Sequence, residues 1–170
     1  MSKLIPDYVF ESIYDITPAL LQQHGVRGVL IDLDGTLASC KAALPPDTLA
    51  PFVRALHEAG LRVLVFSNNG ASRVGRFCDA LGVDYMSRAV KPLSFGFRRA
   101  AKRLGLPLHE VAVVGDQIFT DVLGGNSVGA LTCYVQTLDR RHFWVNIRYR
   151  FEHRFIERGR RRMEARERHE

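Results

Sequence analysis

Five short apolar runs, at 29–33, 61–66, 83–86, 111–114 and 131–135, alternate with segments whose apolar residues recur at helical spacing. Runs this short suit buried strands, and the segments between them suit helices. Thr17-Pro18 opens a predicted helix that Gly25 closes. Asp47 opens another, carrying Leu49, Phe52, Val53 and Leu56, up to Gly60. Helices are also predicted over 71–81, ended by Gly82, and 93–104, ended by Gly105. Thr120 begins a further helix that Gly124-Gly125 are expected to stop. A helix between each pair of strands forces crossover connections. The expected fold is therefore α/β, a three-layer Rossmann-like arrangement with a five-stranded, mainly parallel sheet.

Such sheets bind ligands beyond the C-terminal ends of their strands. Asp32 and Asp34 end the first run, and residues two apart in a strand share a face. Ser67, Asn68 and Asn69 follow the second run, Lys91 follows the third, and Asp116 and Asp121 follow the fourth. Carboxylates at the end of a buried strand are costly unless paired or metal-bound. Several carboxylates in a hard, oxygen-rich site favour Mg²⁺ over zinc. A carboxylate nucleophile needs such a cation to approach an anionic phosphate. Lys and Ser suit the phosphate oxygens, and a second acid can protonate the leaving oxygen and then activate water. The set fits phosphoryl transfer through a covalent intermediate.

Charge is divided unevenly. Residues 1–139 carry 13 Lys and Arg against 13 Asp and Glu, whereas residues 140–170 carry 11 Arg against 5 acids. The domain reading is accordingly a neutral core over 1–139 and a basic amphipathic segment over 140–170. No apolar stretch approaches the roughly 18 residues of a membrane span, and no secretory leader is recognised at the N-terminus. Cys40, Cys78 and Cys133 form no Cys-x-x-Cys pair, which points to a reducing, cytoplasmic setting.

At this point the sequence resembles the haloacid dehalogenase superfamily, most of whose members are phosphatases. Asp32-Leu-Asp34-Gly-Thr resembles its first motif, Ser67 its second, Lys91-Pro92 its third, and Gly115-Asp116-Gln-Ile-Phe-Thr-Asp121 its fourth. The match runs over about residues 28–125. The resemblance implies that Asp32 forms an aspartyl-phosphate and that Asp34 is the general acid/base with its backbone carbonyl on the metal. It implies Asp116 as a metal ligand and Asp121 as a ligand or anchor. Ser67 and the Asn68 backbone would bind phosphate, with Lys91 bridging nucleophile and phosphate. An acid at position 34 favours ester hydrolysis over dehalogenation.

Many relatives insert a cap domain between these motifs, but the intervals from Asp32 to Ser67 and from Ser67 to Lys91 hold little beyond a helix and a strand. A capless, open site suits a large phosphorylated substrate, or an oligomer that supplies a lid. The fourth-motif region and residues 15–26 are similar to subfamily IIIA and its phosphatidylglycerophosphate phosphatase branch, although Gly35 stands where that branch is associated with Asn. The expected activity is Mg²⁺-dependent hydrolysis of phosphatidylglycerophosphate in phospholipid biosynthesis. The alternatives are a soluble phosphometabolite or phosphoprotein as substrate, and a non-catalytic RNA-associated module, which the intact residue set disfavours. Trp144, Ile147, Phe151 and Phe155 recur at helical spacing beside Arg148, Arg150, Arg154 and Arg158. That pattern leaves three readings open: packing on the core, peripheral contact of residues 140–158 with anionic membrane, and RNA contact. Residues 159–170 are expected to fray.

Overall fold

The computed structural model describes residues 2–139 and 143–168. Six strands form one sheet: β1 (Tyr8–Phe10), β2 (Gly28–Ile31), β3 (Arg62–Phe66), β4 (Asp84–Met86), β5 (Val111–Gly115) and β6 (Leu131–Val135). Their order is β1-β6-β5-β2-β3-β4, and every pairing is parallel. The sequence predicts five strands; the structure adds β1. That strand is three residues long at the sheet edge, too short for an alternation to stand out.

Helices α1 (Pro18–Gln23), α2 (Leu49–Glu58) and α3 (Ala71–Leu81) cover one face. Alternate residues of the central strands point to them, including Val29, Ile31, Val63, Val65, Ala112 and Val114. Helix α4 (Ser94–Leu104) packs on the opposite face, where Phe97, Ala100 and Leu104 meet Leu30, Leu64 and Val113. Central strands covered on both faces explain the nearly unbroken apolar runs.

Gly124 and Gly125 do not stop a helix. A π-helical turn over Ile118–Val122 leads directly into α5 (Leu123–Val128), which ends at Gly129 with φ +76°. The glycine pair serves contact instead. A Cβ on Gly124 would lie 2.3 Å from the Phe97 ring, and one on Gly125 would lie 2.7 Å from Thr132.

The C-terminal segment forms α6 (Phe143–Glu167). Phe155 and Ile156 are buried against Val9, Ile118, Val122 and Tyr134. The expected stripe is shifted by one position in register: Phe151 is 64% exposed, while Glu152 turns inward at 1%. The side chain of Trp144 lies outside the described residues. The expected fraying from 159 onward is not found as far as Glu167. Gly159 abuts Pro6 and Val9, and Arg160 pairs with Glu11 at 3.0 Å. Arg162 and Arg166 both approach Asp7 at 3.7 Å. No helix among the described residues is long and apolar enough to cross a membrane.

Candidate active site

The C-terminal edge of the sheet carries a cleft of about 130 Å³ lined by Asp32, Asp34, Ser67, Asn68, Asn69, Lys91, Gln117 and Thr120. Six of the residues singled out from sequence therefore line one cleft. The other two, Asp116 and Asp121, stand beside Asp32, with carboxylate oxygens of the three all within 4.8 Å of one another.

Each position has a local cause. Asp32 follows β2 directly, and its amide donates to Val114 O of β5, which continues the ladder one residue further. Gly35 adopts φ +86°, and a Cβ there would lie 2.5 Å from Asp116 Oδ2. Only glycine lets this turn pass so close to that carboxylate. Gly115 does the same for Asp121, since a Cβ would lie 2.3 Å from its Cγ. Ser67 donates its amide to Met86 O and receives the amide of Ala89, which ties the ends of β3 and β4 together. The Asn68 side chain accepts from Lys91 N at 2.8 Å and donates to Lys91 O at 3.2 Å. Lys91 is held in a loop where Arg88 (φ 50°) and Val90 (φ 59°) are left-handed. A β-branched residue in that region is strained, and such strain gathers at functional sites.

Lys91 Nζ donates to Asp32 Oδ1 at 2.5 Å and to Asp121 Oδ1 at 2.7 Å. Burial pushes the Asp32 carboxyl up to about 7 against the pull of Lys91, and the neighbouring Asp121 and Asp116 push the same way. Asp116 is also raised by burial, in spite of Arg148. For Lys91, burial opposes the charge, but Asp121 and Asp32 outweigh it and hold the ammonium above its ordinary range.

Three further residues, Arg73, Arg148 and Glu152, join Asn69 in shaping the site. Asn69 donates to Asp34 Oδ2, and Arg73 pairs with Asp34 Oδ1 at 2.5 Å while donating to Ala42 O at 2.6 Å. Arg148 of α6 pairs with Asp116 Oδ2 at 3.0 Å. Its Nε lies 3.4 Å from Glu152, whose Oε1 accepts from Ile118 N at 2.9 Å and Phe119 N at 3.4 Å. Arg73 left a faint signal, being a cation in the first turn of a helix, where the dipole disfavours one. Glu152 left another, an acid three and four residues before the apolar Phe155 and Ile156.

The residues fit a hard divalent cation. Asp116 Oδ1 is buried with no hydrogen-bond partner. Among the described residues, the three carboxyls of Asp32, Asp116 and Asp121 pair with two cations, Lys91 and Arg148, so one negative charge is left uncompensated when all three are ionised. An all-oxygen donor set matches magnesium better than zinc.

Residues 21–129 match the family model of the haloacid dehalogenase-like hydrolases. The probable phosphatase YqeG of Bacillus subtilis is 36% identical over 131 residues, covering 77% of this chain and 76% of that protein. A chloroplastic phosphatidylglycerophosphate phosphatase 1 of Chlamydomonas reinhardtii is 27% identical over 146 residues, covering 81% of this chain and 54% of that protein. In fold, the chain is similar to the 3-deoxy-D-manno-octulosonate 8-phosphate phosphatase of Moraxella catarrhalis, solved with magnesium, phosphate and KDO. The TM-score is 0.52 at 13% identity, over 88% of this chain and 97% of that one. With the family model spanning more than half its length, the chain belongs to the haloacid dehalogenase-like hydrolases.

Proposed function

We propose that this hydrolase is a phosphatase that cleaves a phosphomonoester through an aspartyl-phosphate on Asp32, and that its substrate is phosphatidylglycerophosphate. The observation that carries the chemistry is the Asp32–Lys91 pair at the floor of a polar cleft, 2.5 Å apart. Lys91 and the buried acids fix the Asp32 carboxylate so that one oxygen attacks phosphorus as the ester P–O bond breaks. Asp34 gives its proton to the leaving oxygen, then takes one from the water that cleaves the acyl phosphate. Ser67 Oγ and the Asn68 amide hold phosphate oxygens, with Lys91 balancing their charge. Asp32, the Asp34 carbonyl, Asp116 and Asp121 would hold Mg²⁺, which supplies the positive charge that lets a carboxylate meet a phosphate.

Three features support a lipid substrate. A relative bears the name of a phosphatidylglycerophosphate phosphatase. An apolar pocket of about 350 Å³, whose lining includes Ile13, Tyr14, Leu37, Leu44 and Leu138, opens beside the first motif, from which Thr36 also lines it. The free face of α6 presents Arg150, Phe151, Arg154 and Arg158 to solvent, a pattern suited to an anionic bilayer surface. Peripheral contact of that kind would hold the open site at the headgroup level.

The test is phosphate release from phosphatidylglycerophosphate in mixed micelles with Mg²⁺, using Asp32→Asn as control. Release well above the control is expected. Turnover of soluble phosphate esters with none of the lipid would overturn the substrate and keep the chemistry.

A further inference from the structure

A second cleft, of about 270 Å³, is lined by Lys41, Ala43, Ser72, Arg73 and Arg76. Three of its five lining residues are cations and none is an acid. Arg73 joins this cleft to the first, because it lines the second and its guanidinium bonds Asp34, which lines the first. Among the described residues, neither the Lys41 ammonium nor the Arg76 guanidinium has a carboxylate partner. Uncompensated cations converging on a concave surface are a site for an anion.

The cleft is built rather than incidental. The loop bearing Lys41 is fixed on one side by Asp139, which accepts from Ser39 Oγ at 2.5 Å and Cys40 N at 2.9 Å. On the other side Arg73 holds it through Ala42 O at 2.6 Å and Ser39 O at 3.3 Å. Ser72, Arg73 and Arg76 share the first turns of α3, three and four residues apart, so they face one way. The helix starts at Gly70 with no side-chain cap, which adds the partial positive charge of its free amides.

We infer that Lys41, Arg73 and Arg76 form a specificity subsite for a second anionic group on the substrate, so that the preferred substrate is a phosphomonoester that also carries a phosphodiester. The inference rests on the phosphatase reading above. The reacting phosphate sits between Asp32 and Ser67, the chain of the substrate passes Asp34 and Arg73, and its diester lies against Lys41 and Arg76. No bond to the diester is made or broken. Its role is to orient the ester.

Steady-state kinetics of the full chain with Mg²⁺ on three soluble esters test this. p-Nitrophenyl phosphate and glycerol 3-phosphate carry only the monoester, while glycerophosphoglycerol phosphate carries monoester and diester without acyl chains. The parent chain should show a KM about tenfold lower for the last than for glycerol 3-phosphate, as expected for charge-assisted contacts. Lys41→Ala/Arg76→Ala should erase that advantage with kcat within about twofold, leave p-nitrophenyl phosphate kinetics in place, and melt at the parent temperature. Arg76→Lys should retain most of the preference. Equal KM values in the parent chain, or a double variant that shifts all three substrates alike, would overturn the subsite while the phosphatase reading stands. A parent chain inert on all three and on the lipid would overturn both. A preference seen only for the acylated lipid would assign the recognition to the apolar pocket and overturn the subsite.

Discussion

Arg148, on the C-terminal helix, stands 3.0 Å from Oδ2 of Asp116, a carboxylate at the end of β5. The contact brings a positive charge from outside the four recognised motifs onto the residue best placed to hold a cation. The other Asp116 oxygen, Oδ1, is buried and unpartnered, and its carboxylate stands within 4.8 Å of those of Asp32 and Asp121. A fixed guanidinium beside such a site opposes a second cation. Arg148→Ala should therefore bind Mg²⁺ more tightly, by about threefold to tenfold. Isothermal titration of the parent and variant chains reads this directly. Weaker binding in the variant would mean instead that Arg148 serves to aim Asp116.

Glu152 links the same helix to the fourth motif. Burial pushes its carboxyl up to about 7, although Arg148 and the amides of Ile118 and Phe119 pull the other way. The folded chain then holds a proton on Glu152 that the unfolded chain has released above about pH 4.5. This contribution to stability is present at low pH and is lost as pH rises through about 7, with a limiting slope of about 1.4 kcal/mol per pH unit. Asp32 slopes the same way, so the difference between parent and Glu152→Gln isolates the residue. Urea denaturation of the metal-free proteins at pH 5 and pH 8 should show a flatter profile for Glu152→Gln, whose side-chain oxygen can still receive the two amides.

Lys91 lies between Asp32 and Asp121, all three nearly inaccessible. Removing its charge leaves buried carboxylates facing each other. Lys91→Ala should lose about 3–5 kcal/mol in the presence of a chelator, and Mg²⁺ should restore part of that loss by binding the folded state. Chemical denaturation with EDTA and with Mg²⁺ separates the two contributions.

The packed glycines of α5 make a test of the fold. Gly124→Ala places a methyl group 2.3 Å from the ring of Phe97, which is itself fully buried. A loss of about 1–3 kcal/mol is expected from overpacking, despite alanine being the better helix former. A stabilised variant in a thermal melt would show that Phe97 can yield.

The central strands β2, β3 and β5 were legible because both their faces are buried, which writes an apolar run that composition cannot hide. Asp32, Ser67 and Asp116 were legible because each directly follows such a strand, and Lys91 because it follows the short edge strand β4, whose end a parallel sheet brings to the same side. β1 was not legible, being three residues at an edge that β6 recruits. Gly124 and Gly125 predict a helix stop because local propensity is all a sequence shows, whereas the nearness of Phe97 and Thr132 is a tertiary fact. The C-terminal helix was legible as a periodic pattern, but not the face it buries.

What the sequence determined by itself was the alternation that forces a parallel sheet and the order of acids, serine and lysine at its edge. Strand periodicity and residue chemistry are local, and both survive without knowing who the neighbours are. What only the tertiary structure decided was which charges meet. Arg73 found Asp34 at 2.5 Å, Lys91 found Asp32 and Asp121, and Arg148 reached Asp116 from 32 residues away. Electrostatic pairing depends on distance through space and on exclusion of water, and neither is a property of position along the chain.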